Sequence, residues 1–349
     1  MKLLNPINRL LFSFRKQKSD NKLGKVLVVS NTGFGDTILS TPAIKSLRRS
    51  FPNERLIFLV NKKFSALFTN YKYVNTIWEY TGSYINLFSI IFRCKNEKIH
   101  TIFLFHSNGP EDIFFSLLSG AKNIYKMTEN ANHEYRALFL NSANKKVQHH
   151  IEKKIDLIRF FKPKLIDTTL TIAAEFYFKQ PVNYFTTNRK VIGIQLGTQD
   201  VYKIWPVERV IRLSELLLLK KYYLVFFGAT TLELGMMKKV ENSINSNNIL
   251  NLVGKTKISE LPGKLKQLDL LVTNDTGILH LAIAMKVKSL SLFSPTSSEE
   301  FGAYQDKELH HSIQKDGFFV NTKPKKQRTQ DGMQLISVEE VFSKIQEVV

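Results

Sequence analysis

Three short stretches of this sequence combine small residues with side chains that can carry charge or move a proton. The first is Asn31-Thr32-Gly33-Phe34-Gly35-Asp36, the second is Lys203-Ile204-Trp205-Pro206, and the third runs from Thr273 to His280. Each comes after a short apolar run that predicts a buried strand, and each leads into a predicted helix. Because parallel α/β sheets bind ligands where their strands end, these stretches are the candidate functional sites.

Asp36 is the candidate for proton transfer. Gly33 and Gly35 predict a tight turn between the strand Lys25–Ser30 and a helix that we expect to begin near Thr37. A carboxylate at this position can cap the helix by accepting from its free N–H groups. At the carboxyl end of a strand it can also serve as a general base. Taken alone, the stretch favours the simple cap.

The other two stretches suit a phosphate group. Lys203 lies on a polar loop at the predicted sheet edge, within reach of a diphosphate, although most lysines of so basic a chain are simply solvated. Gly277 allows a ligand to approach the backbone, and the following helix opens with free N–H groups and a positive dipole end. His280 falls in the first turn of that helix, where a buried, hydrogen-bonded histidine is the simpler interpretation.

Two other glycine patterns are incomplete. Gly33-Phe34-Gly35 begins like a dinucleotide-binding turn, but Ile38 stands where that pattern needs its third glycine. Gly254-Lys255-Thr256 resembles the end of a phosphate-binding P-loop, but Ile249 takes the place of its first glycine. The single cysteine, Cys94, excludes an internal disulfide and a cysteine-cluster metal site.

Short apolar runs alternate with helical patterns along most of the chain, and the alternation starts again after residue 190. This pattern predicts βαβ units and parallel sheets with helices on both faces, and 349 residues suffice for two such domains. Ser337 and Glu340 form a capping box at the start of the last helix. We predict a basic N-terminal arm at 1–24 and two Rossmann-like domains at 25–175 and 176–336. A C-terminal helix at 337–349 is predicted to pack back on the first domain.

The charge of the chain predicts an anionic partner. Fifty Lys and Arg residues against 30 Asp and Glu give a net charge of +20, which suits nucleic acid, anionic lipid or a phosphorylated substrate. No apolar run reaches the length of a membrane span, and the amphipathic first 25 residues lack a signal-peptide cleavage site. We therefore expect a cytoplasmic protein whose arm is either docked on it or bound to a membrane surface.

Taken in order, the three stretches resemble glycosyltransferase family 9, the bacterial lipopolysaccharide heptosyltransferases. The resemblance is carried by Gly35–Ala43, by Lys203–Pro206 and, most strongly, by Asn274-Asp275-Thr276-Gly277 with His280-Leu281-Ala282. It implies the GT-B fold, an α/β architecture of two Rossmann-like domains whose parallel sheets face across a cleft. It also implies an inverting, metal-independent transfer of a sugar, usually heptose from ADP-heptose, onto a lipid A–core acceptor, with no cofactor.

The same resemblance implies a role for each candidate residue. Asp36, held by the turn at Gly33 and Gly35, would take the proton from the acceptor hydroxyl. Lys203 and the helix N-terminus would stabilise charge on the leaving diphosphate. Glu233 stands about where the family places a ribose-binding glutamate. The residues expected to bind the donor are Lys203, Thr198, Glu233, Asp275, Thr276, Gly277 and His280.

Other interpretations stay open from the sequence. A relative that uses another nucleotide sugar, such as an N-acetylglucosamine donor, would carry the same stretches. A nucleic-acid-binding protein fits the charge alone, without any recognised nucleic-acid-binding signature, and an inactive homologue is disfavoured by Asp36. The expected partners are a nucleotide sugar, an anionic glycolipid acceptor and the cytoplasmic face of the inner membrane, with no nucleic acid.

Overall fold

The computed structural model describes residues 4–14, 22–106, 110–126, 148–173, 176, 183–315 and 327–349. The chain divides into two compact units, Met1–Ala174 and Glu175–Val349, and each is built on one parallel sheet. The predicted α/β class with two parallel sheets is confirmed. Residues 1–3 and 15–21 of the predicted arm, and the predicted domain boundary at residue 175, lie outside the described residues.

The first unit has five parallel strands in the order β3-β2-β1-β4-β5. Its strands are β1 (Val26–Ser30), β2 (Leu56–Asn61), β3 (Thr76–Tyr80), β4 (Thr101–His106) and β5 (Asn123–Lys126). Its helices are α1 (Leu4–Phe14), α2 (Phe34–Leu39), α3 (Thr41–Ser50), α4 (Tyr84–Glu97), α5 (Pro110–Leu118) and α6 (His150–Arg159). The central strand β1 is buried along its whole length, which explains its uninterrupted apolar sequence.

The second unit has six parallel strands in the order β11-β10-β9-β6-β7-β8. Its strands are β6 (Val191–Gln195), β7 (Tyr223–Phe227), β8 (Ile249–Asn251), β9 (Leu270–Asn274), β10 (Ser289–Phe293) and β11 (His310–Gln314). Its helices are α7 (Val207–Leu219), α8 (Thr231–Ser243), α9 (Leu261–Leu265), α10 (Gly277–Ala284), α11 (Ser298–Phe301) and α12 (Val338–Val348).

The last helix belongs to the second unit. Ser337 caps it as predicted, and its side chain accepts a hydrogen bond from the Glu340 N–H at 3.1 Å. Its apolar face, formed by Val338, Val341 and Ile345, is buried in the core of the second unit. The apolar face of this helix therefore packs within its own unit, and the prediction that the helix also packs back on the first domain stays a prediction.

Each sheet is built outward from a central strand in both directions. In the first unit the chain runs from β1 to β2 and β3 on one side and then to β4 and β5 on the other. In the second unit the same change of direction falls between β6 and β9. These two switch points, at the carboxyl ends of the strands, are where open α/β sheets bind ligands.

The described part of the N-terminal arm is docked on the first unit. Leu4 and Asn8 of α1 are buried, and the Asn8 side-chain amide donates a hydrogen bond to the Pro110 carbonyl at 2.8 Å. Ile7 and Leu10 of the same helix stay exposed. In the parts of the chain that the structure describes, no helix combines the length and the apolar character that a membrane crossing requires.

Candidate active site

The turn after β1 is shorter than the sequence predicted. Helix α2 begins at Phe34, with Gly33 as an extended N-cap residue, and not near Thr37. The Thr37 hydroxyl donates to the Gly33 carbonyl at 2.8 Å and lies 3.0 Å from the Ser30 carbonyl, and the Thr37 N–H also bonds to Gly33. These bonds close the first helical turn directly after the strand. Gly35 is consequently the second residue of the helix and not part of the turn.

Asp36, the third residue of α2, lies at the switch point of the first unit. Its Oδ1 atom is 3.2 Å from Nδ1 of His106, which ends β4 on the other side of that point. Its Oδ2 atom lies over Gly33, where an added Cβ would approach it to 2.4 Å. The Asp36 and His106 side chains are 24% and 21% exposed. A carboxylate that is oriented by a neighbour and still accessible is suited to general base catalysis.

His106 also faces a positively charged part of α6. Burial, followed by the charges of Lys154, Lys153 and His106, lowers the pKa of His150 well below its usual range, so this imidazole is neutral at physiological pH. The Lys154 side chain is itself buried. The first switch point therefore has bases of α6 near it, together with the buried Asp112 carboxylate, which accepts from the Asn31 side chain at 2.7 Å. Sequence analysis missed His106 as a site residue, although its place at the end of a strand was a signal.

Lys203 and Asp275 form an ion pair across the switch point of the second unit. Lys203 ends a 3₁₀ helix after β6, Asp275 follows β9, and Nζ donates to Oδ2 at 2.7 Å. The Thr296 hydroxyl, after β10, donates to the same oxygen at 2.8 Å. The Lys203 and Asp275 side chains are 15% and 6% exposed. Thr296 was not predicted as a site residue, although it lies shortly after the strand Ser289–Phe293.

The environment of Lys203 keeps its ammonium charged. Burial on its own lowers the pKa of Lys203, but the charge and the hydrogen bond of Asp275 outweigh burial and raise that pKa above its usual value. An ammonium has three N–H donors, and the bond to Asp275 fixes the direction of one of them. The remaining donors can bind an anion, such as the diphosphate predicted from the sequence.

Helix α10 begins two residues after Asp275, the acidic member of this ion pair. Thr276 is its extended N-cap residue and makes no side-chain capping hydrogen bond, and its hydroxyl lies 3.3 Å from that of Thr273. Gly277 is the first helical residue. The first-turn N–H groups are therefore not covered by the cap side chain, and an anion can take that place. His280 is buried within the same helix.

Glu233 ties the ends of β6 and β7 together. Its Oε2 accepts from the N–H groups of Ala229 and Thr230, both at 2.8 Å. Its Oε1 accepts from the Gly197 N–H at 3.1 Å and from the Gln195 side chain at 2.5 Å. The side chain is almost fully buried, and a carboxylate has about four lone-pair positions in all. These four hydrogen bonds occupy those positions, so the ribose contact predicted for Glu233 would have to replace one of them, and it stays a prediction.

The predicted residues fall into three groups. Thr198 lies in the loop after β6, and its hydroxyl accepts from the Asp200 N–H at 3.3 Å. Glu233, at the end of the next strand, β7, belongs with Thr198 to the first group. Asp36 and Gly33, in the first unit, form the second group. The stretch from Asp275 to His280 leads into α10 and meets Lys203 through its carboxylate. Among the described residues, no group of three or more His, Cys, Asp or Glu side chains is placed to hold a metal ion.

Comparison with known proteins shows the family of the chain. A model of glycosyltransferase family 9 (heptosyltransferase) matches residues 114–328. Lipooligosaccharide heptosyltransferase 2 of Campylobacter jejuni strain NCTC 11168 is 24% identical over 286 residues, which are 81% of this chain and 84% of that protein.

Two solved structures show the fold. A family 9 glycosyltransferase from Veillonella parvula has a TM-score of 0.74 at 20% identity, over 94% of this chain and 99% of that one. The Escherichia coli ADP-heptose lipopolysaccharide heptosyltransferase II has a TM-score of 0.71 at 16% identity, over 93% and 98%. The predicted GT-B fold is confirmed. Because the family model spans more than half of its residues, the chain belongs to glycosyltransferase family 9, the heptosyltransferases, and is a glycosyltransferase.

Proposed function

We propose that this protein transfers a heptose from ADP-heptose onto the core sugars of a lipopolysaccharide or lipooligosaccharide, with inversion at the anomeric carbon and without a metal ion. The names of the C. jejuni and E. coli relatives support the sugar, the nucleotide and the acceptor. The observation that carries the proposal is the Lys203–Asp275 pair, because it fixes a charged ammonium at the switch point of a Rossmann-like unit.

The second unit supplies the donor site in this proposal. Lys203 and the first N–H groups of α10, next to Thr276 and Gly277, bind the diphosphate. Negative charge builds on the diphosphate oxygen as its bond to the anomeric carbon breaks, and fixed positive groups stabilise that charge. Asp275 acts on the donor through Lys203, whose ammonium it orients. The sequence contains no Asp-x-Asp pair, the common metal-binding motif of other glycosyltransferases, so we expect transfer to continue in EDTA.

The first unit supplies the base. Asp36 accepts the proton of the acceptor hydroxyl, and the hydroxyl oxygen bonds to the anomeric carbon on the face opposite the departing ADP. One such displacement inverts the configuration of that carbon. His106 holds the Oδ1 atom of Asp36 and so leaves Oδ2 to receive the proton. Asp36 is then protonated, and it returns the proton to water before the next turnover.

The acceptor in this proposal is an anionic glycolipid at the cytoplasmic face of the inner membrane. The net charge of +20 and the basic groups around His106 suit an acceptor that carries phosphates or carboxylates. A glycolipid is anchored in a bilayer by its acyl chains, so its core sugars are available only near the membrane surface. We therefore place the working enzyme at that surface.

Donor choice is tested by thermal melts with ADP-heptose, UDP-N-acetylglucosamine and GDP- and CMP-sugars. We expect ADP-heptose alone to raise the melting temperature, and transfer to a lipopolysaccharide acceptor to yield the inverted anomer by NMR, with or without EDTA. If UDP-N-acetylglucosamine alone raised the melting temperature, it would take the place of ADP-heptose as the assigned donor. If no nucleotide sugar raised the melting temperature and the protein bound RNA in a salt-sensitive way, the proposal would be overturned in favour of a nucleic-acid partner.

A further inference from the structure

Helix α4 carries large apolar side chains on its solvent-exposed side as well as on its buried side. Leu87, Ile90, Ile91 and Cys94 face the core of the first unit. On the opposite side Ile85 is 85% exposed and Phe92 is 65% exposed, and Tyr84 and Phe88 are exposed beside them. Several large apolar side chains exposed close together commonly mark an interaction site. We call these four exposed residues the outer face of α4.

The neighbouring helix extends this surface. The ring of Phe88 meets the ring of Phe114, on α5, edge-on at 6.5 Å between centroids. Helix α5 packs against both α4 and α1, and α1 carries two more exposed apolar residues, Ile7 and Leu10. Several large apolar side chains are thus presented to solvent by helices of one layer, more than scattered exposure explains.

The charges around the outer face are positive. Arg93, Lys95 and Lys98 are exposed at its carboxyl-terminal end, and the Arg93 guanidinium lies 4.1 Å from the centroid of the Trp78 ring. The acid of this helix, Glu97, is already paired with Lys25 at 3.5 Å and with Arg55 at 3.2 Å. The surface therefore combines apolar and aromatic side chains with exposed bases.

This combination fits an anionic bilayer better than a second copy of the chain. A symmetric dimer through this face would bring the same bases of two copies towards each other. An anionic lipid surface attracts those bases, while its acyl region takes up Phe and Ile side chains and its interface suits Tyr. The net charge of +20 adds attraction of the same sign over a longer distance.

We propose that the outer face of α4, with its flanking bases, is a membrane-docking surface that inserts Ile85, Phe88 and Phe92 into an anionic bilayer. It rests on the proposed function in one respect, namely that a lipid-linked acceptor gives the enzyme a reason to dock. Docking through α4 also places the first unit, which carries Asp36, next to the membrane. The docked arm α1 then contributes Ile7 and Leu10 to the contact rather than acting as a free tether.

The test is co-sedimentation with vesicles of phosphatidylethanolamine and phosphatidylglycerol. The double variant Ile85→Ser/Phe92→Ser removes the two most exposed members of the outer face, and Leu219→Ser is a matched control that removes a 78% exposed leucine from the second unit. We expect the double variant to bind about tenfold or more weakly and the control to bind like the wild type. Lys95→Glu should weaken binding to these vesicles more at low salt than at high salt.

Three results would overturn the proposal. The first is equal vesicle binding by the wild type and the double variant. The second is a wild-type dimer that the double variant converts to a monomer, which would make this face a contact between copies. The third is a marked fall in the melting temperature of the double variant, which would show that the chain itself covers the face.

A second assay separates this inference from the proposed function. The double variant should transfer sugar normally to a water-soluble acceptor without acyl chains, and poorly to the same acceptor embedded in vesicles. Loss of transfer to both acceptors would overturn the docking role, because it would show damage to the site itself. Failure of the wild type to use any nucleotide sugar would refute the proposed function, while vesicle binding would still decide the docking surface.

Discussion

The two switch points each hold a pair of polar side chains, but the pairs are built differently. Asp36 and His106 are 3.2 Å apart and almost a quarter exposed, and the imidazole is the partner. Lys203 and Asp275 are 2.7 Å apart and much more buried, and Thr296 bonds to the same carboxylate oxygen. In the proposed mechanism, the group that takes up and releases protons is the accessible one, whereas the group that stays charged is packed against its counter-ion.

The strongest test of this contrast is Asp36→Asn. Asn keeps the size of the side chain, and the N-cap residue of α2 is Gly33 and not Asp36, so folding and ADP binding should be almost unchanged. Turnover should fall by about 10²- to 10⁴-fold, the usual contribution of a general base. The fall in turnover is measured by single-turnover transfer at saturating donor, and thermal melts of both proteins measure the effect on folding. A variant that melts normally and transfers at close to the wild-type rate would remove Asp36 from the mechanism.

Lys203→Ala tests the buried pair. The loss of one charge-assisted contact to the diphosphate, about 1.5–3 kcal/mol, should lower kcat/KM by about tenfold to a hundredfold. The change also leaves Asp275 buried without its cation, which should destabilise the protein by up to about 3–5 kcal/mol. The double variant Lys203→Ala/Asp275→Ala separates the two effects, since it should recover the lost stability but should not recover the sugar-transfer activity. Recovery of transfer in the double variant would contradict a role of Lys203 towards the donor.

Gly33→Ala tests whether the position of the Asp36 carboxylate matters. The new methyl group would lie 2.4 Å from Oδ2, so the carboxylate must swing away. A side-chain carboxylate moves easily, so the melting temperature should change little, while kcat should fall by about tenfold or more from misplacement of the base. Gly235→Ala, in α8 with nothing near its Cβ position, is the matched control. A normal kcat in Gly33→Ala would show that the base is not held in this geometry.

His106 should act as a positioning residue. His106→Phe removes the group facing Asp36 Oδ1, and we expect kcat to fall by a factor on the order of ten, with little change in the KM for the donor. His106→Asn places an amide donor near the former Nδ1 position and should restore much of the lost rate. Equal activity of the Phe and Asn variants would argue that the ring only fills space.

The smallest effect concerns pH. The folded-state pKa of Lys203 is raised above its ordinary value of 10.5, so the ion pair contributes stability in full below pH 10.5 and loses it as the pH rises through the folded pKa. The difference in melting temperature between the wild type and Lys203→Met should therefore be constant near neutral pH and shrink above pH 10.5. A difference that stays constant at alkaline pH would mean that the charge of Lys203 adds nothing to stability.

Local patterns predicted most elements of both units. The alternation of apolar runs and helical patterns predicted a parallel sheet in each unit, and Ser337 caps the last helix as expected by accepting from the Glu340 N–H. The polar strand His310–Gln314 was missed, because its two histidines and its glutamine give no clear alternation and it is formed by pairing with β10. The helix after β1 was predicted three residues late, because Thr37 uses its hydroxyl to close the preceding turn.

The pairs at the switch points could not be predicted from the sequence. Asp36 and His106 are 70 positions apart, and Lys203 and Asp275 are 72 apart. They meet because β4 lies beside β1 and β9 beside β6, and no local pattern encodes strand order. Each strand-end residue was visible in the sequence, whereas its partner depends on the topology of the sheet.

Glu233 has a consequence for exchanging loops between relatives. A Cβ on Gly197 would lie 3.0 Å from the Glu233 side chain, and one on Gly228 would lie 2.9 Å from it. The two glycines are thus matched to a glutamate that fills the space above them. These three positions should co-vary, and a chimaera that grafts either loop from an enzyme with another side chain at position 233 must inherit all three together.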